Sequence, residues 1–344
     1  MQTGKKLSFV LTMAALAFAP GVHAQVFCGD VLVGGTHTMT ADITGCAIDP
    51  AVTLDGARLD MDGFEISGCA AGDGVFMTGG SSRLENGSVS GCQNGVVLDT
   101  GGAHRVEYLR SGDHSESAFY VQSPGARLLY VRADNSAIGI EIETGADLVD
   151  VDRSSSVGNT EGMVVRGDKA VVENTVVALS SGVGITVDGD RSKFYDVALF
   201  ESPIVVNGDR NRFKYMLSVG GLTAVGAEVT GEKNKIERSQ IHNYGTGVKL
   251  AGIDNDVRHV VVAGGSAEGI GIPGLTRNDV RDSFVTGNAG DGIAVLSGAG
   301  DTTVRSNVST GNSGSFDLRD DNAGCGTNDW INNVEDTTND PCVD

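Results

Sequence analysis

Aromatic side chains make up only 5% of this chain, proline supplies six of its 344 residues, and there is a single tryptophan. With so few large rings it cannot be an ordinary globular core, where aromatic residues dominate the buried area. Glycine, at 50 residues, is about twice its usual share. No Gly-X-Y period accompanies it, which excludes collagen. Positive charge is also short: 25 Lys and Arg face 45 Asp and Glu, a net charge of −20. That sign repels phosphate backbones and argues against nucleic acid and anionic membranes as partners. No C-x-x-C pair exists and the six histidines are scattered, so no zinc site is indicated. The Gly-Gly-x-Gly-x-Asp calcium repeat, an EF-hand loop, a Gly-x-Ser-x-Gly elbow and a phosphate loop in strand-to-helix context are all missing. Asp320, Asp321 and Asn322 cluster near the end and leave room for one weak Ca2+ site; no other cofactor is expected.

The first 24 residues read as a signal peptide. Lys5 and Lys6 precede an apolar stretch from Leu7 to Ala19, Pro20 ends it, and Val22-His23-Ala24 supplies the small residues that a signal peptidase reads. The stretch is short for a membrane span, and no later one is more apolar. The expected mature chain, residues 25–344, carries 23 basic and 45 acidic residues, or −22. It is expected to be secreted or periplasmic, and monomeric. All six cysteines remain after export, which suits an oxidising compartment. They crowd the ends: Cys28, Cys46, Cys69 and Cys92 at the start, Cys325 and Cys342 at the finish. Segments 25–50 and 320–344 are therefore expected to form stapled caps, since an open end would expose strand edges.

A repeat accounts for the glycine. The unit small-apolar-x-apolar returns from Gly74-Val75-Phe76-Met77 to Ser315-Phe316-Asp317-Leu318, its starts 21, 23, 21, 23, 22, 19, 23, 21, 22, 23 and 23 residues apart. A second apolar phase follows each unit by about ten residues, as at Val106, Phe194, Val257 and Val304. A period near 22 with two or three short strands describes one coil of a parallel β-helix. The leucine-rich frame and the six-residue beat of a left-handed helix are absent. The fold expected is all-β: a single-stranded right-handed parallel β-helix, a solenoid of about twelve coils with disulfide-stapled ends. Ile140 and Ile142 should face in and Glu141 out. The glycines are read as serving turns that need positive φ. Asn135, Asn159, Asn243, Asn288 and Asn312 precede the first strand of five coils and suggest an inward Asn ladder. Cys69 and Cys92 share that slot one period apart and are expected to pair; unbonded stacked thiols are the alternative.

Cys28-Gly29-Asp30 … Gly45-Cys46, Val52-Thr53-Leu54-Asp55-Gly56 and Cys325-Gly326-Thr327-Asn328-Asp329-Trp330 … Pro341-Cys342 resemble segments of bacterial right-handed parallel β-helix repeat proteins of the pectate-lyase-like superfamily. The resemblance covers essentially the whole mature chain. It implies the fold and a setting of polysaccharide lyases, hydrolases, epimerases and adhesins, among which fold alone does not choose.

A β-helix builds sites from stripes across coils. The slot after each second-phase apolar residue reads Glu107, Leu129, Val149, Glu173, Tyr195, Lys214, Glu237, Arg258, Arg281, Arg305. Lys214, Arg258, Arg281 and Arg305 therefore form a basic stripe, a candidate binding site for an acidic polysaccharide or cell-surface glycan whose carboxylates would meet Arg forks. Arg258, His259, Arg281 and Asp282 are candidate catalytic residues for a β-elimination, and Lys249, with His242 and Tyr244 nearby, is a candidate lyase base. Each has a plainer reading: nearby Asp256, Asp279 and Asp301 would turn the stripe into a surface ion-pair ladder, and Glu228 would pair with Lys249 across strands. Trp330 is expected to pack in the C-terminal cap. Coil spacings of 19 to 23 leave no long insertion to wall a cleft. That favours a secreted glycan-binding protein over a polysaccharide lyase or hydrolase; a structural or adhesive surface protein is the other alternative.

Overall fold

A computed structural model describes residues 25–69, 71–221, 224–274 and 277–343. The expected signal peptide, residues 1–24, lies outside them. The chain is a right-handed parallel β-helix, the hand that strand twist imposes on parallel connections. Fourteen parallel strands, from Asp30–Val33 to Leu318–Asp320, stack in chain order in one sheet. Each opens one coil, numbered here 1 to 14. A second and a third strand complete each coil, such as Asp256–Arg258 and Val261–Ala263 in coil 11. In coils 3 and 4 these two fuse into single strands, Arg83–Ser90 and Arg105–Gly112. Fourteen coils exceed the twelve of the repeat count because that count began at Gly74. The two coils before it, opened by Asp30–Val33 and Val52–Asp55, pair in register with the rest. Segment 25–50 is thus itself a coil. At about 4.8 Å per coil the stack is roughly 62 Å long.

Alternation within strands builds the core. Ile140 and Ile142 are fully buried while Glu141 between them faces out. The centre of each second strand from coil 2 on is also buried, and Phe194 and Phe213 stack across coils 8 and 9 with ring centroids 4.6 Å apart. The glycine that opens most first strands serves space rather than dihedral freedom. A Cβ on Gly247 would lie 2.2 Å from Val262 Cγ1, and one on Gly269 2.3 Å from Val285 Cγ1. The corner between second and third strands does need positive φ, yet non-glycine residues fill it in coils 2 to 14, among them Tyr108, Tyr130, Tyr215, Arg238, His259 and Asp282. Their side chains form a column along one edge of the rod.

Inward polar ladders satisfy the corners. Ahead of the second strands, backbone N–H groups of Ser192, Asn211, Asn234 and Asn255 donate to the Oδ1 atoms of Asn211, Asn234, Asn255 and Asn278 in turn, at 2.7–3.0 Å. Ahead of the first strands the ladder holds Asn159, Asn288 and Asn312. Asn135 and Asn243 are not in it: they sit one residue earlier, exposed, with φ of 49° and 59°. Ser136 and Tyr244 take the inward slot instead. Cys69 and Cys92 share this column and form a disulfide between coils 2 and 3, while Cys28–Cys46 and Cys325–Cys342 close coils 1 and 14.

Candidate anion-binding face

Three outward columns run along the second-strand face. One follows the turn residue three positions before each central apolar residue, and the others follow the strand residues on either side of it. In coils 2 to 5 the middle column reads Arg58, Arg83, Arg105, Arg127, held in register. These arginines are neutralised by Glu85, Glu107 and Asp150, with Arg83–Glu85 at 2.7 Å and Arg127–Asp150 at 2.9 Å. In coils 11 to 13 the polarity reverses: Asp256 and Asp279 hold the middle column and Arg258, Arg281 and Arg305 the outer one. Each arginine there reaches back one coil, Arg258 to Glu237, Arg281 to Asp256 at 3.0 Å, Arg305 to Asp279 at 3.2 Å.

Between these two ion-pair ladders lies a stretch where the pairing stops. Coils 8, 9 and 10 present Arg191 and Lys193, Arg210 and Arg212, and Lys233 and Lys235 in the same two slots. Each pair flanks a buried ladder residue, Ser192, Asn211 or Asn234, so alternation turns both cations outward. The first member of each pair takes positive φ, 59°, 58° and 57°. Arg212 bonds Glu237 at 2.5 Å. The other five make no ion pair with any described residue, and all five are exposed. The grid ends where Asp254 and Asp256 occupy the same slots in coil 11 and where Val171 takes the second slot in coil 7. Six cations on three rungs stand out on a chain of net charge −20.

An open groove of about 640 Å³ follows the grid, lined by all six cations with Glu237, Asp254 and Arg258. A smaller one, about 190 Å³, adjoins it between Arg212, Lys214, Glu237, Arg238, Arg258 and His259. Glu237 is buried beneath the arginines. Burial opposes its ionisation, but hydrogen bonds from Arg212 and Arg258 outweigh that and hold its carboxyl below the usual range. It is a fixed anion that orients two guanidiniums. At the neighbouring corner Lys214 lies 4.4 Å from the Tyr215 ring centroid and Arg238 donates to the Tyr215 hydroxyl at 3.0 Å. Both cations draw the phenol pKa down. Tyr108 and Tyr130 stack face to face on the same column, centroids 4.8 Å apart, and Arg153 covers the far face of Tyr130.

Of the expected binding stripe, Arg258 lines the groove and Lys214 its annex, whereas Arg281 and Arg305 belong to the ion-pair ladder of coils 12 and 13. The catalytic candidates are not assembled as one set. Arg258, His259, Arg281 and Asp282 share adjacent coils, with His259 and Asp282 on exposed corners lining a shallow cleft of about 450 Å³. Lys249 stands on the first-strand face, paired with Glu228 at 2.8 Å. Tyr244 is not beside it on the surface. It is buried and its hydroxyl meets Ser218 Oγ at 2.8 Å, because Gly220 and Gly226 leave room for its ring. The first-strand face also carries a cluster that the stripe reading missed: Arg166 bridges Glu141 and Glu143 at 2.6 and 2.7 Å beside Tyr120, whose phenol pKa is raised by burial and those carboxylates. Near the C-terminus both Asp320 oxygens accept hydrogen bonds from Asn322, Asn328 and Trp330. Asp321 pairs with Arg319 at 2.6 Å. Among the described residues no three His, Cys, Asp or Glu side chains gather as metal ligands, and no helix is long and apolar enough to cross a membrane.

No family model matches the chain, and no curated protein does. Solved structures do. A double mutant of the periplasmic alginate epimerase AlgG superposes with a TM-score of 0.55 at 12% identity, covering 91% of this chain and 80% of that one. A single mutant of the same epimerase gives 0.51 at 11%, with the same coverage of both chains. The Azotobacter vinelandii mannuronan C-5 epimerase AlgE4 A-module gives 0.40 at 16%, covering 88% and 87%. At 11–12% identity the likeness to AlgG shows the fold alone.

Proposed function

We propose that this is an exported β-helix protein that binds an anionic polysaccharide along its second-strand face, in the groove of coils 8 to 11. The observation that carries the reading is the patch of five exposed, unpaired cations on a strongly acidic protein. Aligned like charges on neighbouring strands destabilise a sheet, and elsewhere on this face acids neutralise them. A polyanion laid along the groove would supply the missing partners, and the acidic remainder of the rod would steer it there. Lys214 and Arg258 extend the same site. The alginate epimerase whose fold is similar is named for a polysaccharide substrate, which agrees with this class of ligand. Three disulfides suit an oxidising, extracytoplasmic compartment.

The test is affinity electrophoresis or calorimetry of the intact protein with polygalacturonate and dextran sulfate. The triple variant Arg191→Gln/Arg210→Gln/Lys233→Gln should lose at least tenfold in affinity, and the control Arg281→Gln/Arg305→Gln should not. Parent protein that binds neither polymer, or equal loss in both variants, refutes the reading.

A further inference from the structure

Resting on that reading, we infer that the ligand bears sulfate or phosphate esters at about two negative charges per sugar, over about three sugars, rather than one carboxylate per sugar. The grid has two columns and three rows. Rows repeat every ~4.8 Å, and the two cations of a row sit about 6.6 Å apart along the strand. One row therefore faces roughly one sugar ring of a glycan running parallel to the rod. Each row offers two cations: Arg191 with Lys193, Arg210 with Arg212, Lys233 with Lys235. Only Arg212 spends charge on a protein acid, so five positive charges await a ligand spanning three rungs. A polyuronate brings one carboxylate per ring and leaves nearly half of them unmatched.

Ester groups meet the demand in charge and in shape. A phosphate monoester carries about −1.5 to −2 charges with three acceptor oxygens, and a sugar can carry two sulfate esters. Tetrahedral oxygens can meet both guanidinium forks and compact ammoniums. The mixture of Arg191 and Arg210 with Lys193, Lys233 and Lys235 provides both. The ends of the grid set its length. Asp254 and Asp256 fill both slots of the next row, and coil 7 offers Lys169 but Val171 in the second column. A fourth highly charged sugar would meet carboxylates on one side and a single cation on the other.

The experiment is isothermal calorimetry of the whole protein, with oligosaccharides of two to six units in three forms: uronic acid only, sulfated, and phosphorylated. The sulfated or phosphorylated form should bind at least tenfold tighter than the uronate of equal length, and its affinity should stop rising near three units. Lys193→Gln/Lys235→Gln strips the second column at exposed positions, and its thermal unfolding reports that the rod is intact. In it ester binding should fall at least tenfold, uronate binding should fall by less, and the preference for esters should collapse to less than threefold. Sulfated and phosphorylated arms separate the two sources of the ester. Uronate binding as tight as either ester, or affinity climbing steadily to six units, overturns this inference and leaves the proposed function standing. No binding of any form overturns both.

Discussion

Removing a cation from the grid should stabilise the protein, an unusual outcome for a point substitution. Arg210 has three cationic neighbours, Arg191 and Lys233 in its own column and Arg212 beside it. At a separation of about 7 Å in water two unit charges repel by about 0.6 kcal/mol. A Debye length of about 8 Å at 0.15 M salt reduces this to about 0.25 kcal/mol per neighbour, or about 0.7 kcal/mol in all. At 0.01 M salt, where the Debye length is about 30 Å, the sum rises to about 1.4 kcal/mol. Arg212 shares its charge with Glu237, so both sums are upper values. Arg210→Gln keeps the same turn conformation, φ 58°, and exchanges one long polar side chain for another. Urea unfolding followed by circular dichroism should show the variant more stable than the parent, with the gap widening as salt is lowered. The same variant should bind anionic glycan more weakly, so that stability and binding move in opposite directions. A variant that is less stable than the parent, or whose gap ignores salt, would refute the claim that the grid is an uncompensated cluster.

The inward ladders yield a second expectation. Asn255→Ala removes the acceptor of the Asn234 N–H and the donor to the Gly231 carbonyl. Leaving such buried groups unpaired should cost about 1–3 kcal/mol in chemical unfolding, and a silent substitution would mean that the ladder is ornamental. Acid should loosen the N-terminal coils. His104 and His114 are buried and accept backbone hydrogen bonds from Ser82 and Cys92 through Nδ1; burial lowers both pKa values below the ordinary 6.5. A lowered histidine pKa means that the unfolded chain binds more protons at mildly acidic pH. Stability is then complete above about pH 6.5 and falls as pH drops below it. Because His104 occupies the slot that Asn211 fills in coil 9, His104→Asn should keep the acceptor and flatten part of that pH dependence; an unaltered profile would assign the titration elsewhere. Reduction of Cys69–Cys92, or its replacement by two serines, opens a loop of 23 residues and should cost about 3 kcal/mol on the loop-entropy argument, seen as earlier unfolding of coils 2 and 3 in hydrogen exchange.

The coils were readable because each first strand repeats one small-apolar-x-apolar unit, and the Cys69–Cys92 pair because both residues share a slot one period apart. The inward ladder was misread by one residue at Asn135 and Asn243. Both stand beside the true slot, and asparagine is as much at home in an exposed left-handed turn as in a buried ladder. Tyr244 was misjudged for a related reason. A tyrosine at a turn reads as exposed, and only Gly220 and Gly226, one coil back, signal the space that admits its ring. The binding face was seen in part. The slot after each central apolar residue holds Lys214 and Arg258, but also Arg281 and Arg305, whose partners lie a full coil away in sequence. Spacings of 19 and 23 between Lys193, Arg212 and Lys235 scatter the column before it along the chain, and the acidic composition masks a local excess of the opposite sign.

The most direct test of the anion-binding account is the salt dependence of glycan binding. Five protein cations that neutralise charges on a bound polyanion release counterions condensed on it, which implies an affinity that falls about a hundredfold between 50 and 200 mM salt, by analogy with single-stranded polyanions. The account predicts that fall for a sulfated glycan on the parent protein and a much shallower one for Arg191→Gln/Arg210→Gln/Lys233→Gln. Binding that is indifferent to salt, or a slope that the triple variant shares, would contradict it.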